Sequence, residues 1–278
     1  MANITAAEVN RLRQQTGAGM MDCKRALVEA DGDFENAIDI LRKKGQKLAL
    51  KRAEKNANEG IVLARTTDDR TFGILFMLNC ETDFVAKNQE FIDFAQNVVA
   101  LALEVKPRSL DELSALTING RTVAEGVTDL IGKTGEKMEL SHYEFIATDK
   151  VYAYNHQGNR LATLLGFNGS SYAGLDQIGH EIAMQIAAMN PIAIDKGDVS
   201  KEMIDREIEV GKEQAREEGK PEEMLGKIAL GKLNKFYKEN TLLNQEFIRD
   251  SSVTVSEYLV KADKDIKVIA FKRLMLGA

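Results

Sequence analysis

Over the first 45 residues, apolar positions recur at helical spacing in three short stretches. Val9 and Leu12 give a first helix a narrow stripe, and Thr5 with Glu8 forms a capping box that opens it. Thr16-Gly17-Ala18-Gly19 interrupts the pattern. Met20, Cys23, Leu27 and Ala30 then gather near one face of a second helix, and Asp31-Gly32-Asp33 turns the chain. Asp33 can cap a third helix, in which Phe34, Ala37, Ile38 and Leu41 follow the i, i+3, i+4, i+7 pattern. Gly45 stands where a glycine would end that helix. A unit this small buries little surface and is marginal alone.

Beyond a basic segment at 46–58 the pattern changes. Ile61–Arg65 and Phe72–Asn79 read as strands around a turn at 66–70. The second contains the run FGILFML, which predicts burial on both faces. An amphipathic helix follows, with Phe91, Phe94, Ala95, Val98, Val99 and Ala102 on one side. Shorter helices are expected near Leu110–Leu116 and Val123–Ile131. The strand–strand–helix order then recurs: Val151–Tyr154 and Arg160–Phe167 flank a turn at 156–159. Leu175, Ile178, Ile182, Ile186 and Met189 line the helix after them, which Pro191 ends.

Residues 200–238 read as two charged helices broken at Gly219-Lys220-Pro221, an antiparallel pair. Met203, Ile204, Ile208 and Val210 on one arm, with Leu225, Ile228, Leu233 and Phe236 on the other, are the expected seam. The pair suits self-association or a secondary partner contact, and equally a self-sealed protrusion. Ile266–Leu274 alternates like a returning strand. The fold class is therefore α+β: three N-terminal helices, a core of two subdomains of antiparallel strands with helices, and an inserted hairpin. The expected divisions are 1–45, a basic linker helix 46–58, and core segments 59–140 and 141–278, with the hairpin at about 198–239.

Composition narrows the function. The net charge of −6 argues against nucleic acid as the main partner. One run opposes that balance: Arg42, Lys43, Lys44, Lys47, Lys51, Arg52 and Lys55, against Glu54 alone. It suits a solvated helix or a phosphate contact, but no aromatic residue is interleaved to stack on bases. No apolar run approaches the roughly 18–20 residues of a membrane span. The N-terminus lacks a signal-peptide pattern, so a cytoplasmic protein is expected. Cys23 and Cys80, far apart, predict buried free thiols rather than a disulfide or zinc site.

No catalytic constellation stands out, and no cofactor or metal is expected. His142, His156 and His180 are scattered without ligand spacing. There is no phosphate loop and no nucleophile elbow. The informative segment is Asn79-Cys80-Glu81-Thr82-Asp83-Phe84-Val85-Ala86-Lys87-Asn88, between a buried strand and an amphipathic helix. Thr82 or Asp83 can cap that helix while Phe84 enters the core. Alternatively, the loop presents a carboxylate beside an aromatic ring, a pair suited to wedging into a partner.

That segment resembles N-C-x-T-D-F-V-A-[KR], a signature of the elongation factor Ts family. Leu12-Arg13-Gln14-Gln15-Thr16-Gly17-Ala18-Gly19-Met20-Met21-Asp22-Cys23-Lys24-Arg25-Ala26-Leu27 is similar to the family's other long motif. Ile131-Gly132 resembles a short I-G-E segment, with Lys133 in place of the acid. Residues 154–160 resemble Y-x-H-x-G-x-[RK], and residues 183–191 resemble A-M-[HQ]-[IV]-A-A-x-x-P. Ala162-Thr163 departs from the usual glycine-valine, harmlessly for a strand. A helical C-terminal module of some members has no counterpart before Ala278, so its contacts are expected to be absent.

The resemblance implies a nucleotide exchange factor that binds elongation factor Tu in its GDP form and promotes GDP release. It implies that the N-terminal helices adopt a ubiquitin-associated-like fold and contact the GTPase domain through residues such as Leu12, Met20, Met21 and Lys24. It places Thr82, Asp83, Phe84 and Val85 near the partner's magnesium, and Ile131, Gly132 and His156 near its surface. No membrane and no direct nucleic-acid contact are implied, and homodimerisation is left open. Two other readings compete: a ubiquitin-associated-type binding module on a scaffold, and an RNA-binding protein using Arg42–Lys55. A redox role for Cys23 or Cys80 is weaker.

Overall fold

The first and third helices begin where the sequence supplies caps. In this computed structural model, which describes residues 4–169 and 172–277, helix α1 spans Ala6–Thr16, α2 Met20–Glu29 and α3 Phe34–Arg52. The Thr5 hydroxyl accepts from the Glu8 N–H at 3.2 Å, and the Glu8 carboxylate accepts from the Thr5 N–H at 2.7 Å. Asp33 caps α3 by accepting from the Asn36 N–H at 3.0 Å. Val9, Leu12, Cys23, Ala26, Leu27 and Ala37 form the shared core.

The expectation that Gly45 ends the third helix is corrected. Helix α3 runs through it to Arg52, capped at Ala53. Gly45 serves packing instead of termination, because its backbone lies against a later helix, as described below.

The chain continues as β1 (Glu59–Thr66), β2 (Phe72–Cys80), α4 (Asp83–Ala86), α5 (Gln89–Val105) and α6 (Leu110–Ala115). Next come β3 (Thr117–Ile118), β4 (Arg121–Thr122), α7 (Val123–Thr134) and β5 (Met138–Ala147). The second half adds β6 (Lys150–Asn155), β7 (Leu161–Phe167), α8 (Leu175–Met189), α9 (Lys201–Glu217) and α10 (Glu222–Asn240). It closes with β8 (Glu246–Phe247), β9 (Asp250–Thr254), α11 (Val255–Ala262) and β10 (Val268–Met275). The α+β class holds.

Two three-stranded sheets organise the core, in the orders β1-β2-β5 and β10-β7-β6. Every residue of β2 is buried, as its apolar run requires. Strands β6 and β7 pair antiparallel, from Lys150 opposite Phe167 to Asn155 opposite Ala162, and α8 covers them. The returning strand joins β7 as β10. Neither β5 nor α11 was foreseen in the sequence.

The described residues form two compact units. One comprises the chain up to Leu63, Phe76–Glu144 and the residues from Leu274 on; the other comprises Ala64–Leu75 and Phe145–Arg273. The three N-terminal helices thus share a unit with α4 to α7.

In the second unit, Leu165, Phe167, Ile178, Ile182, Ile186, Phe247 and Leu259 contribute to one core. It encloses a carboxylate. Glu181 is 4% exposed and accepts from Arg249 at 2.8 Å, from Gln177 at 3.1 Å and from the Tyr258 hydroxyl. Burial pushes its carboxyl upward, but these donors and the Arg249 charge outweigh that, leaving it below its ordinary value.

The hairpin of α9 and α10 is sealed by Leu225 and Leu233 of the expected seam, but on the α9 arm by small residues in place of the expected ones. Gly211 and Ala215 on α9 are buried with Leu225, Ala229 and Leu233 on α10. Met203 and Val210 face outward, 39% and 41% exposed. Small residues let the arms approach closely: a Cβ on Gly211 would lie 3.1 Å from the Ala229 Cα.

Candidate functional site

The segment between β2 and α5 is a one-turn helix rather than an open loop. Thr82 caps α4, its hydroxyl accepting from the Val85 N–H at 3.4 Å. Asn88, not Thr82 or Asp83, caps α5, accepting from the Glu90 N–H at 2.8 Å. Neighbours on a helix point about 100° apart, so a single turn sends adjacent side chains to opposite environments. Val85 is turned inward at 8% exposure, and Phe84 outward at 82%. The core alternative for Phe84 is thereby excluded.

Asp83 sits beside Phe84 at the N-terminal end of the turn. Its carboxylate accepts from the Lys87 Nζ at 2.6 Å, and that bond with the Lys87 charge holds its carboxyl below the usual carboxylate range. Both partners are solvated. An exposed ring and an exposed carboxylate therefore stand side by side on backbone whose own groups are bonded: Ala86 N–H to Thr82 O, Lys87 N–H to Asp83 O, Asn88 N–H to Val85 O.

The mount below them is buried. The Cys80 thiol donates to the Thr82 carbonyl at 3.2 Å. Burial, reinforced by Glu136, pushes that thiol up to about 12. It is inert as a nucleophile at neutral pH, as is Cys23, whose thiol burial also raises. Both cysteines are free and buried.

A second exposed surface lies on α2. Met20 and Met21 are 55% and 63% exposed, and Val28 is 49% exposed. Lys24, also exposed, falls between them at helical spacing. Leu12 is fully buried beneath this face and supports it from the core.

Ile131 and Gly132 lie in α7. Ile131 is buried, and Gly132 packs against Gly45 of α3. Neither presents side-chain surface in the free chain. Lys133 bonds Glu90 and lies over the turn at Gly17. A glycine followed by an acid does occur three residues later, as Gly135-Glu136. Glu136 is the residue that reaches the α4 turn, accepting from both Thr82 N and Thr82 Oγ1. Sequence reasoning missed it; the glycine–acid order after α7 was the available signal.

His156 belongs to the other unit, in the turn between β6 and β7. Its backbone N–H donates to Leu161 O at 2.9 Å, and its Nδ1 lies 2.9 Å from the Tyr154 hydroxyl. Its ring is exposed.

The basic run in α3 is partly neutralised. Arg42 pairs with Asp39, Lys44 with Asp22 and Arg52 with Glu81. No group of three or more potential ligands for a metal ion occurs among the described residues. No helix among them is long and apolar enough to cross a membrane.

The family model described as Elongation factor TS matches residues 81–278. A relative from Amoebophilus asiaticus, named Elongation factor Ts, is 50% identical over 275 residues, covering 99% of each chain. The Elongation factor Ts of Cytophaga hutchinsonii is 50% identical over 278 residues, covering 100% of both. That of Porphyromonas gingivalis is 49% identical over 276 residues, covering 99% of both.

Proposed function

The chain belongs to the elongation factor Ts family, and on that premise we propose that it drives guanine-nucleotide exchange on elongation factor Tu through the Asp83–Phe84 turn. It binds the GDP form, and the Phe84 ring enters between partner side chains. Asp83 approaches groups linked to the partner's magnesium, and the rearrangement loosens magnesium and phosphate contacts. GDP leaves and GTP enters, within the elongation phase of translation in the cytoplasm.

Exchange of this kind needs no covalent step and no cofactor on this chain; it is a coupling free energy between two bound partners. Weakening nucleotide binding about 10⁴-fold takes roughly 5.5 kcal/mol of differential binding. One aromatic anchor at the centre of a larger interface supplies a substantial part of that. The Met20, Met21 and Lys24 face of α2 is proposed to add affinity, with Leu12 beneath it. Ile131, Gly132 and His156 are proposed to support or border the same interface.

The observation that carries this reading is the 82% exposure of Phe84 on a helical turn capped by Thr82. An apolar ring is held in water there by backbone that has no need of it. The test is release of a fluorescent GDP from the cognate elongation factor Tu. Release at the unassisted rate in the presence of saturating protein would refute the proposal.

A further inference from the structure

Helix α4 has four residues, too few to hold a helical turn by its own hydrogen bonds. Beyond the buried Val85, its direction depends on what grips its N-cap, Thr82. Glu136, just after Gly135 at the end of α7, supplies that grip. Its Oε2 accepts from the Thr82 N–H at 3.1 Å and its Oε1 accepts from the Thr82 hydroxyl at 2.8 Å. The hydroxyl in turn accepts from the Val85 N–H, so Thr82 donates outward and caps inward at once.

The neighbouring pair repeats the arrangement in reverse. Glu81 reaches back to the same strand entrance, its Oε1 accepting from the Lys137 N–H at 2.6 Å. Its carboxylate also takes both contacts from Arg52 Nη1, at 3.0 and 3.2 Å. Residues 81 and 82 are thus clasped to 136 and 137 by two carboxylates pointing in opposite directions. Hydrogen bonds to ionised acceptors are the stronger kind and fix direction as well as distance.

We infer that Glu136 is a positioning residue for exchange: by holding Thr82 it aims the Phe84 ring. The inference rests on the proposed role of Phe84. Without the clasp the turn samples other directions, and binding energy is spent on ordering it. The cost falls on the step the ring performs, more than on affinity contributed by the α2 face.

The test measures release of fluorescent GDP from elongation factor Tu against concentration of this protein. It separates the saturating rate from the half-saturating concentration. The variants are Glu136→Ala, Glu136→Gln, Phe84→Ala and the double Glu136→Ala/Phe84→Ala, with thermal unfolding of each in parallel. Glu136→Ala removes both hydrogen bonds to the carboxylate and is expected to lower the saturating rate by about tenfold or more, tenfold being the rate equivalent of one such bond. The half-saturating concentration should change less. Glu136→Gln should stay near wild type, because its amide oxygen accepts from the Thr82 N–H while its nitrogen donates to the hydroxyl. This variant keeps the test decisive if the alanine form is poorly folded. The double variant should be no slower than Phe84→Ala, since an absent ring cannot be misaimed. Slow release by Phe84→Ala with normal release by Glu136→Ala would overturn the inference alone. So would multiplying losses in the double variant, or a glutamine form as slow as the alanine form. Normal release by Phe84→Ala would overturn the proposed function and this inference together.

Discussion

Gly45 of α3 and Gly132 of α7 meet backbone to backbone: a Cβ built on Gly132 would lie 3.3 Å from the Gly45 Cα. A Cβ on Gly45 would lie 3.2 Å from the Thr128 carbonyl oxygen. The obstacles are main-chain atoms, which cannot swing aside as a side chain would. Each glycine loses helix propensity worth roughly 1 kcal/mol relative to alanine, yet the crossing requires the missing methyl.

Gly132→Ala is therefore expected to destabilise, because overpacking of about 1–3 kcal/mol exceeds the propensity gain. Gly226→Ala, in α10 with open space around it, should instead stabilise by about 0.5–1 kcal/mol. Denaturant unfolding of both variants reads the two signs. A stabilised Gly132→Ala would show that the helices have room to separate.

Phe84→Ala should leave stability within about 0.5 kcal/mol, as exposed substitutions do. A core phenylalanine would lose about 3–5 kcal/mol. Its saturating GDP-release rate should fall about 30-fold, equivalent to a hot spot of about 2 kcal/mol. Asp83→Ala should likewise spare stability, since Thr82 and not Asp83 caps the turn, while changing the magnesium dependence of release. Paired unfolding and release kinetics check both.

Glu181 gives a pH prediction. Its folded value lies below the ordinary 4.5. A depressed carboxyl contributes stability that is present above the unfolded value and lost as pH falls through the folded one. Glu181→Gln should cost about 1–3 kcal/mol at neutral pH, typical of hydrogen bonds to a charged group. The deficit relative to wild type should shrink as the pH drops below about 4.5. Urea midpoints at pH 7 and pH 3.5 measure it; an equal deficit at both would mean that packing, not charge, is responsible.

Replacing α9 and α10 with a short loop should leave exchange largely intact. The base of the hairpin is closed without it: Leu242 N–H bonds Ala193 O and Leu243 N–H bonds Ile194 O, both at 2.9 Å. Sedimentation of the shortened protein shows whether the outward Met203 and Val210 serve self-association. Complete loss of exchange in a folded deletion would place the hairpin in the interface instead.

What the sequence disclosed depended on how local the signal was. The caps at Thr5 and Asp33, the buried run of β2 and the two arms of the hairpin each rest on spacings of a few residues. Strand β5 escaped because its buried positions, Met138, Tyr143 and Ile146, follow neither strict alternation nor a continuous run. Helix α11 carried a readable capping box, Thr254 with Glu257, that went unused. Phe84 stayed ambiguous because an apolar residue in a loop fits either core or surface; the single turn capped by Thr82 decides it. No local rule pairs Glu136 with Thr82, which is 54 positions away in the chain; only the Gly135-Glu136 order after α7 was readable. Gly45 misled because a glycine that permits close approach and one that ends a helix look alike in one dimension.

The uninterrupted α3 changes the arithmetic of binding. Its 19 residues make a rod about 28 Å long at 1.5 Å per residue, carrying the N-terminal helices and pinned to α7 at Gly45. A flexible tether would offer the α2 face to a partner at a local concentration diluted by every alternative orientation. The rod presents it in few orientations, at a fixed separation from the Phe84 turn. Were both surfaces to dock as proposed, the second would arrive already in place on a matching partner, and on a mismatched one could not arrive at all. Avidity and selectivity would then come from the same helix.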